Sequence, residues 1–339
     1  MTLTGCVTAV QANFYRVKLD QPQASTDRLL CVRRARLKKI GQQVCVGDRV
    51  VVTEPDWQGM RGAIAEVLPR HNFLERPAIA NIDRLILVFA FPEPDPMQIS
   101  RFLVYGEFLQ TQVILCLNKR DLIDEPTWQT WHARLLDWGY DAIPLSVEQG
   151  EGIDRLKTHL GKGIGILAGP SGVGKSSLIN RLMPEQQVPT GSVDPKYGRG
   201  RHTTRHVELF ELGNGGQLAD SPGFLQPLLP MTPLALGACF PEIKRQIKTD
   251  RCEFSDCLHQ GEPGCKVSTD WERYSHYCQF LAEVQTQASL RAETTNPEAK
   301  TKTKKGGAEP LLSKKKYRRS SRRSLVQSLD QDLEGTGQT

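Results

Sequence analysis

Apolar and polar residues alternate along the first seventy residues, which is the period of strands that bury one face. Turns that contain glycine separate these alternating segments, and together they predict a small closed β-barrel. The predicted strands are Tyr15–Leu19, Leu29–Arg33, Arg49–Val52 and Gly62–Leu68. Taken alone, the pattern fits an OB-fold and an SH3-like barrel almost equally well.

The middle of the chain, residues 81–223, alternates short apolar runs with segments that repeat apolar residues every three or four positions. This alternation is typical of a mostly parallel sheet covered by helices. The run Leu85–Phe91 is too short to cross a membrane and predicts a buried strand. Helical spacing at Met97–Leu109 and Pro126–Trp138 predicts two of the covering helices.

The pattern changes again after Gly223, where it becomes irregular and helical, with a closing helix predicted over Trp271–Gln285. From about Leu290 the apolar periodicity is lost, which is typical of a disordered tail. Residues 300–323 contain eleven basic side chains and one acidic one, so this stretch carries +10 while the whole chain carries +6. A mobile polycation binds RNA phosphates without sequence preference, and we expect the tail and the basic barrel to contact RNA.

Length and cysteine usage restrict the class of protein. A chain of 339 residues exceeds what one hydrophobic core usually serves, and it predicts two or three domains. Nine cysteines are an odd number, and several stand alone in apolar runs, so no disulfide framework is expected. The first residues lack the basic and apolar segments of a secretory signal. We therefore expect a cytoplasmic monomer without membrane association.

A phosphate-binding motif, G-x-x-x-x-G-K-[ST], spans Gly169–Ser176. The apolar run Gly163–Ala168 precedes it, and helical spacing follows over Ser177–Leu182. In such a loop backbone N–H groups surround phosphate oxygens, and we expect Lys175 to neutralise the β/γ charge while Ser176 binds Mg²⁺. The nucleotide-binding residues predicted here are Gly169, Pro170, Ser171, Gly172, Val173, Gly174, Lys175, Ser176 and Ser177.

A base-reading motif, N-K-x-D, spans residues 118–121 after the apolar run Gln112–Leu117. The carboxylate of Asp121 can accept hydrogen bonds from the ring N–H and the exocyclic amino group of guanine, whereas adenine offers the opposite pattern. GTP is therefore predicted over ATP. We expect Asn118 to bind the base edge and Lys119 to lie along the ribose.

The base-reading loop stands before the phosphate loop, whereas the phosphate loop comes first in an ordinary GTPase. This inverted order predicts a circularly permuted GTPase. The backbone N–H groups of Ser146 and Val147, which follow the apolar run Ala142–Leu145, are further candidates to bind the guanine carbonyl.

Two segments after the phosphate loop are candidate switches. Asp220 ends a predicted strand, where it would hold Mg²⁺ through water while the Gly223 N–H meets the γ-phosphate. The basic stretch Gly198–Arg205 is the candidate first switch, in which the hydroxyl of Thr203 or Thr204 could ligate Mg²⁺. We predict that both threonines contact GTP, with Thr204 the candidate magnesium ligand.

A compact cluster of soft ligands follows in the pattern C-x₄-C-x-H-x₅-C. Its members are Cys252, Cys257, His259 and Cys265. Close Cys/His grouping of this kind is typical of a tetrahedral Zn²⁺ site. All four positions are protein groups, so we expect one structural zinc ion per chain; His276 and Cys278 are alternative ligands.

These motifs, in this order, resemble those of the RsgA or YjeQ family, the GTPases that depend on the small ribosomal subunit. The resemblance covers about residues 1–285 and includes His202-Thr203-Thr204 and Asp220-Ser221-Pro222-Gly223-Phe224. It implies an OB-fold for the barrel, and a late role in maturation of the small ribosomal subunit, which would stimulate hydrolysis. The domains expected are 1–70 (RNA-binding barrel), 71–228 (GTPase), 229–288 (zinc-binding, mostly helical) and 289–339 (disordered basic tail).

Catalysis leaves several interpretations open. Phe224 stands where Ras-like enzymes place the glutamine that orients the attacking water, so we expect slow hydrolysis by the chain alone. His202 is a candidate catalytic residue and equally a candidate RNA contact. A nucleotide-gated RNA-binding module with incidental hydrolysis is the main alternative function. A permuted GTPase of the large subunit is a third, which the barrel and the Cys/His cluster disfavour.

Overall fold

The computed structural model describes residues 2–23, 26–184, 207–213, 215–220 and 227–295, with two short segments at 301–304 and 307–310. Within these ranges, no helix combines the length and the apolar character that crossing a membrane requires. The strands are β1 Leu3–Gln11, β2 Phe14–Gln23, β3 Thr26–Arg33, β4 Arg49–Asp56, β5 Arg61–Val67, β6 Phe73–Leu74, β7 Ile79–Ala80, β8 Arg84–Ala90, β9 Gln112–Asn118, β10 Ile143–Pro144, β11 Gly163–Ala168, β12 Glu208–Glu211 and β13 Gly216–Asp220, followed by β14 Thr301–Lys304 and β15 Gly307–Pro310. The α-helices are α1 Ala35–Lys39, α2 Pro96–Phe108, α3 Glu125–Asp137, α4 Ile153–Leu160, α5 Lys175–Leu182, α6 Pro233–Gly237, α7 Pro241–Thr249 and α8 Tyr274–Thr295.

The first five strands close into a barrel. Its order is β1-β2-β3-β5-β4, and an additional pairing of β1 with β4 closes the ring. β3 and β5 are parallel, the other pairs are antiparallel, and α1 connects β3 to β4. This arrangement is the OB-fold, as the family resemblance implied. Alternate side chains such as Val17, Leu29 and Ile64 fill the interior.

The central domain is a six-stranded sheet in the order β10-β9-β8-β11-β13-β12, with only β12 antiparallel to its neighbour. In chain order this sheet begins with β8, and the strand before the phosphate loop, β11, comes fourth. In space, β8 lies between β9 and β11, which carry the base-reading and phosphate motifs. Because the carboxyl ends of parallel strands meet at one edge of a sheet, the permuted sequence still brings both motifs together.

The barrel contacts the central domain at two places, one on this sheet and one at β7. β1 pairs with β12 through Ala9 and Glu208, and Glu208 also forms an ion pair with Arg16 of the barrel. At a second junction, the Ala80 N–H donates to Val46 O (2.9 Å) and the side chain of Asn81 donates to Gly47 O (2.9 Å). Ion pairs as exposed as Arg16–Glu208 contribute only about 0–1 kcal/mol each.

The helical region after the GTPase sheet is fastened to α2 by a buried arginine. The Arg273 side chain is fully buried, and its guanidinium donates to Ser100 Oγ (3.0 Å) and to the carboxylate of Glu242 (3.1 Å). The rings of Trp138 and Phe240 lie 5.1 and 4.7 Å from its central carbon. This part of the molecule therefore packs on the GTPase domain through a polar contact enclosed by aromatic rings.

The closing helix is longer than the sequence predicts. α8 continues to Thr295, ten residues past the predicted end and into the stretch expected to be disordered. The added turns contain alanine, leucine, arginine and glutamate, whose helix propensity is high although their apolar periodicity is weak. β14 and β15 pair as an antiparallel hairpin, and the rest of the predicted tail lies outside the described residues.

Candidate nucleotide site and metal cluster

Asn118 connects three loops at the carboxyl edge of the sheet. It is buried at the end of β9, where its Nδ2 donates to the carbonyl of Val173 in the phosphate loop (2.7 Å). Its Oδ1 accepts a hydrogen bond from the N–H of Val147 (3.1 Å). The side chain predicted to read the base therefore also holds the phosphate loop and the loop after β10 together, with one amide proton left over.

Two glycines of the phosphate motif stand where a side chain has no room. A Cβ at Gly174 would lie 2.5 Å from Nδ2 of Asn118, and one at Gly169 would lie 2.1 Å from Val88 O. Both residues also have positive φ, +96° and +143°. Close approach and left-handed backbone thus account for glycine at both positions.

Lys175 begins α5 and lies inside the loop. Its Nζ donates to the carbonyls of Gly169 (2.9 Å) and Pro170, and burial lowers its pKa below the usual value. Ser176 and Ser177 follow in the first helical turn and are exposed. A helix N-terminus with an ammonium group and exposed hydroxyls is suited to bind the phosphates of a nucleotide.

The base-reading loop turns sharply at Lys119, whose backbone is left-handed with φ +59°. Asp121 lies in the short 3₁₀-helix Arg120–Leu122 and is exposed, and the Arg120 N–H donates to Leu145 O (2.9 Å). A cavity of about 570 Å³ opens beside this loop, within the usual range for ligand sites. Its lining residues are Asn118, Lys119, Asp121, Val147, Glu148, Gly174, Ser177, Asn180 and Arg181.

Three lining residues were missed by the sequence analysis, namely Glu148, Asn180 and Arg181. The last two lie three and four positions after Ser177, so the helical period places them on the same face of α5. The guanidinium of Arg181 lies over the neighbouring loop, 2.5 Å from where a Cβ of Gly150 would stand. Helical spacing could have predicted this face, but not which loop it meets.

The donors predicted for the guanine carbonyl are already engaged. The Ser146 N–H donates to Glu151 O (3.2 Å), and the Val147 N–H donates to Asn118. The next N–H along the chain belongs to Glu148, which lines the cavity. The contacts of Ser146 and Val147 with the base stay predictions, and Glu148 becomes an additional candidate donor.

The candidate switches are only partly described. Asp220 ends β13, beside the phosphate-loop strand β11, and its backbone is paired with Glu208 of β12. His202, Thr203, Thr204 and Gly223 lie outside the described residues, so their roles stay predictions.

The predicted zinc ligands form one cluster. The ligand atoms of Cys252, Cys257, His259 and Cys265 all lie within 4.8 Å of one another. His259 Nδ1 is 3.6, 3.5 and 3.8 Å from the three Sγ atoms. A tetrahedron with Zn–S of about 2.3 Å and Zn–N of about 2.0 Å separates N from S by about 3.5 Å, so this donor set could hold a metal ion.

The alternative ligands do not belong to this cluster. The ring of His276 packs edge-on against Trp138, with centroids 6.0 Å apart. The loop itself is shaped by Glu262, whose carboxylate accepts from the N–H groups of Leu258 (3.0 Å) and Gln260 (2.7 Å). Left-handed backbone at His259, with φ +57°, completes the turn that places Cys257 and His259 together.

Comparison with known proteins relates this geometry to a family. Residues 67–229 match the model of the RsgA GTPase family. A small ribosomal subunit biogenesis GTPase RsgA of Trichormus variabilis is 51% identical, covering 98% of this chain and 96% of its own. The protein of the same name from Thermosynechococcus vestitus is 50% identical, covering 97% and 96%. The chain belongs to the RsgA GTPase family.

Two solved structures are similar to this chain over most of its length. YjeQ from Thermotoga maritima superposes with a TM-score of 0.71 at 31% identity, covering 84% of this chain and 99% of YjeQ. YloQ, described as a circularly permuted GTPase, gives 0.69 at 30%, covering 85% and 96%. Family membership confirms the predicted GTP-hydrolysing enzyme, and the match to YloQ confirms the permuted GTPase fold. The strand order of the amino-terminal barrel confirms the predicted OB-fold.

Proposed function

We propose that this chain is a GTPase that acts late in maturation of the small ribosomal subunit, binds the rRNA of that subunit and hydrolyses GTP faster when bound to it. The observation that supports nucleotide specificity is the cavity between the base-reading and phosphate loops, which Asn118 holds together. The subunit as partner is supported by the names of relatives that match nearly the whole chain.

In the proposed complex, different residues of the cavity bind the base, the ribose and the phosphates. The Asp121 carboxylate, which is exposed to the cavity, accepts from the two N–H groups of guanine, while the stem of Lys119 covers the ribose. The spare amide proton of Asn118 and the N–H of Glu148 donate to the base edge. Lys175 exchanges its two carbonyl partners for the β/γ phosphate oxygens. Their negative charge favours the ammonium form of Lys175 and raises its pKa.

Magnesium supplies charge neutralisation between the β- and γ-phosphates when it is bound. Ser176, at the start of α5, is the described residue proposed to hold it, with Thr204 from the first switch and Asp220 through water. His202 is proposed to help orient the attacking water, and an RNA contact is its alternative role.

The four-ligand cluster is proposed to bind one structural Zn²⁺ per chain. Three thiolates and one imidazole fill all four tetrahedral positions, so no position remains for a reacting water. The ion would fix the loop Cys252–Cys265 beside α7, and its binding free energy would add to the stability of this region.

Steady-state GTP turnover tests the ribosomal role. We expect purified small subunits to raise turnover far more than large subunits or free tRNA do, at equal concentration and salt. Lys175→Ala should abolish the stimulated rate without preventing association with the subunit. Equal stimulation by both subunits, or by tRNA, would refute the role and favour a nucleotide-gated RNA-binding module in which hydrolysis is incidental.

A further inference from the structure

The outer surface of the barrel carries an exposed apolar strip. Phe14, Leu30, Val32 and Met60 are 49%, 39%, 44% and 55% exposed. Phe14 of β2 is paired directly with Val32 of β3, and the Leu30 N–H donates to Met60 O (2.9 Å). The four side chains are therefore neighbours on one face, whereas the residues that alternate with them fill the barrel interior.

The same face continues as a row of cations. Arg16 and Lys18 follow Phe14 at two-residue spacing on β2, and Arg28 is paired with Lys18 across the strands. All three are engaged by carboxylates of β12: Arg16 with Glu208, and both Lys18 (2.7 Å) and Arg28 (2.7 Å) with Glu211. Lys18, and after it Arg28, hold the pKa of Glu211 below its usual range.

The combination fits single-stranded nucleic acid better than a protein partner. Proteins of the OB-fold bind oligonucleotides on the face of the second and third strands and at the loop between the fourth and fifth, where Met60 lies. One exposed aromatic ring beside cations offers stacking to a base and neutralisation to its phosphates. The apolar strip is narrow and bordered by three cations, unlike the broad apolar core of a protein interface.

We propose that this face is a binding platform for single-stranded RNA whose cationic half is covered by the two carboxylates of β12. This proposal rests on the proposed function, because the single-stranded RNA would be an exposed segment of the rRNA of the small subunit. RNA phosphates and the β12 carboxylates compete for Arg16, Lys18 and Arg28. Binding of RNA therefore releases β12 from the barrel.

The position of β12 connects this competition to the nucleotide. β12 follows the candidate first switch in the chain, and its Glu208 is paired with Asp220, at the start of the candidate second switch. The backbone register between the barrel and β12 is a single pair, Ala9 with Glu208. Cys6 and Val10 of β1 also pack against the apolar cluster that includes Val207 and Leu209, so release of β12 exchanges the ion pairs and part of this packing. The junction of Val46 with Ala80 keeps the barrel attached meanwhile. A nucleotide state that holds β12 against the barrel therefore weakens RNA binding. By thermodynamic linkage, RNA weakens the binding of that nucleotide by the same factor.

Fluorescence anisotropy of a labelled oligouridylate of about twelve nucleotides, titrated with the full chain at several salt concentrations, tests the proposal. Phe14→Ala should weaken binding about tenfold, as expected for loss of one stacked base. Glu208→Gln/Glu211→Gln should strengthen binding severalfold and steepen its salt dependence, because three cations become available to phosphates. Glu54→Gln/Glu93→Gln, which makes the same charge change away from β12, is the matched control.

The outcomes separate cleanly. If Phe14→Ala fails to fold, Met60→Ala tests whether the apolar strip contacts the RNA. GDP binding reports the folding of each variant. An oligouridylate carrying 5-iodouridine should crosslink to the barrel strip on irradiation. Crosslinks confined to the basic tail, an unchanged affinity of both apolar-strip variants, or equal effects of the two double variants would each overturn the proposal. No ribosomal subunit is present, so a failure of subunit stimulation would leave this result standing.

Discussion

Asn118→Ala should uncouple the nucleotide loops. The substitution removes the hydrogen bonds to Val173 O (2.7 Å) and from the Val147 N–H (3.1 Å) and leaves both backbone groups without partners. A buried unsatisfied group costs about 1–3 kcal/mol, so the loop arrangement should lose about 2–4 kcal/mol after partial relaxation to water. At 1.4 kcal/mol per factor of ten, affinity for GDP and GTP should fall at least about thirtyfold.

Asn72→Ala is the matched control. This asparagine donates to Ile82 O (2.7 Å) and Leu109 O (3.3 Å) and accepts from the Ile82 N–H (2.8 Å), but it lies away from the cavity. Thermal unfolding should show a comparable loss of stability in both variants. Titration with a fluorescent GDP should show weaker binding only for Asn118→Ala. Unchanged GDP affinity in that variant, or the same loss in Asn72→Ala, would refute the reasoning.

Three further predictions follow from other sites. Asp121→Asn should lose GTP and gain xanthosine triphosphate, because the amide matches the altered base edge; competition binding measures the exchange, and unchanged GTP affinity would contradict it. Cys257→Ser should lose zinc, seen by metal analysis, and lower the unfolding temperature, while Cys278→Ser, outside the cluster, should keep the ion. Arg273→Ala should lower the free energy of unfolding by about 3–5 kcal/mol, because it leaves the buried carboxylate of Glu242 unpaired. The double variant Glu242→Leu/Arg273→Met should recover most of this loss, and denaturant unfolding measures both.

The sequence predicted an element correctly where the residues of that element alone determine its structure. The apolar run before the phosphate motif predicts β11 with its observed bounds, because a buried parallel strand needs apolar residues on both faces. β1 was missed, since its inward positions include Gly5 and Ala9, which are too small to give a clear apolar alternation. Gly5 is small for a tertiary reason: a Cβ there would lie 2.4 Å from Lys18 O of the next strand.

Signals that depend on distant contacts were not available from the sequence. Nothing around Arg273 distinguishes it from a surface arginine, because its partners Ser100 and Glu242 lie far away in the chain. The engagement of Val147 by Asn118 likewise depends on two loops that only the folded sheet brings together. The order of the motifs, by contrast, predicted the permutation correctly, since it is a property of the chain itself.

The contact between the barrel and β12 also bears on self-association. β12 is the outermost strand of the GTPase sheet, and unpaired strand edges recruit other chains. At the opposite edge, β10 is only two residues long and ends in Pro144, which donates no hydrogen bond. The barrel thus covers the edge of the sheet that could more readily pair with a strand of another chain. When the barrel moves away, the charges of Glu208 and Glu211 disfavour such pairing. A truncated chain that begins after the barrel would rely on those two carboxylates alone to stay unaggregated.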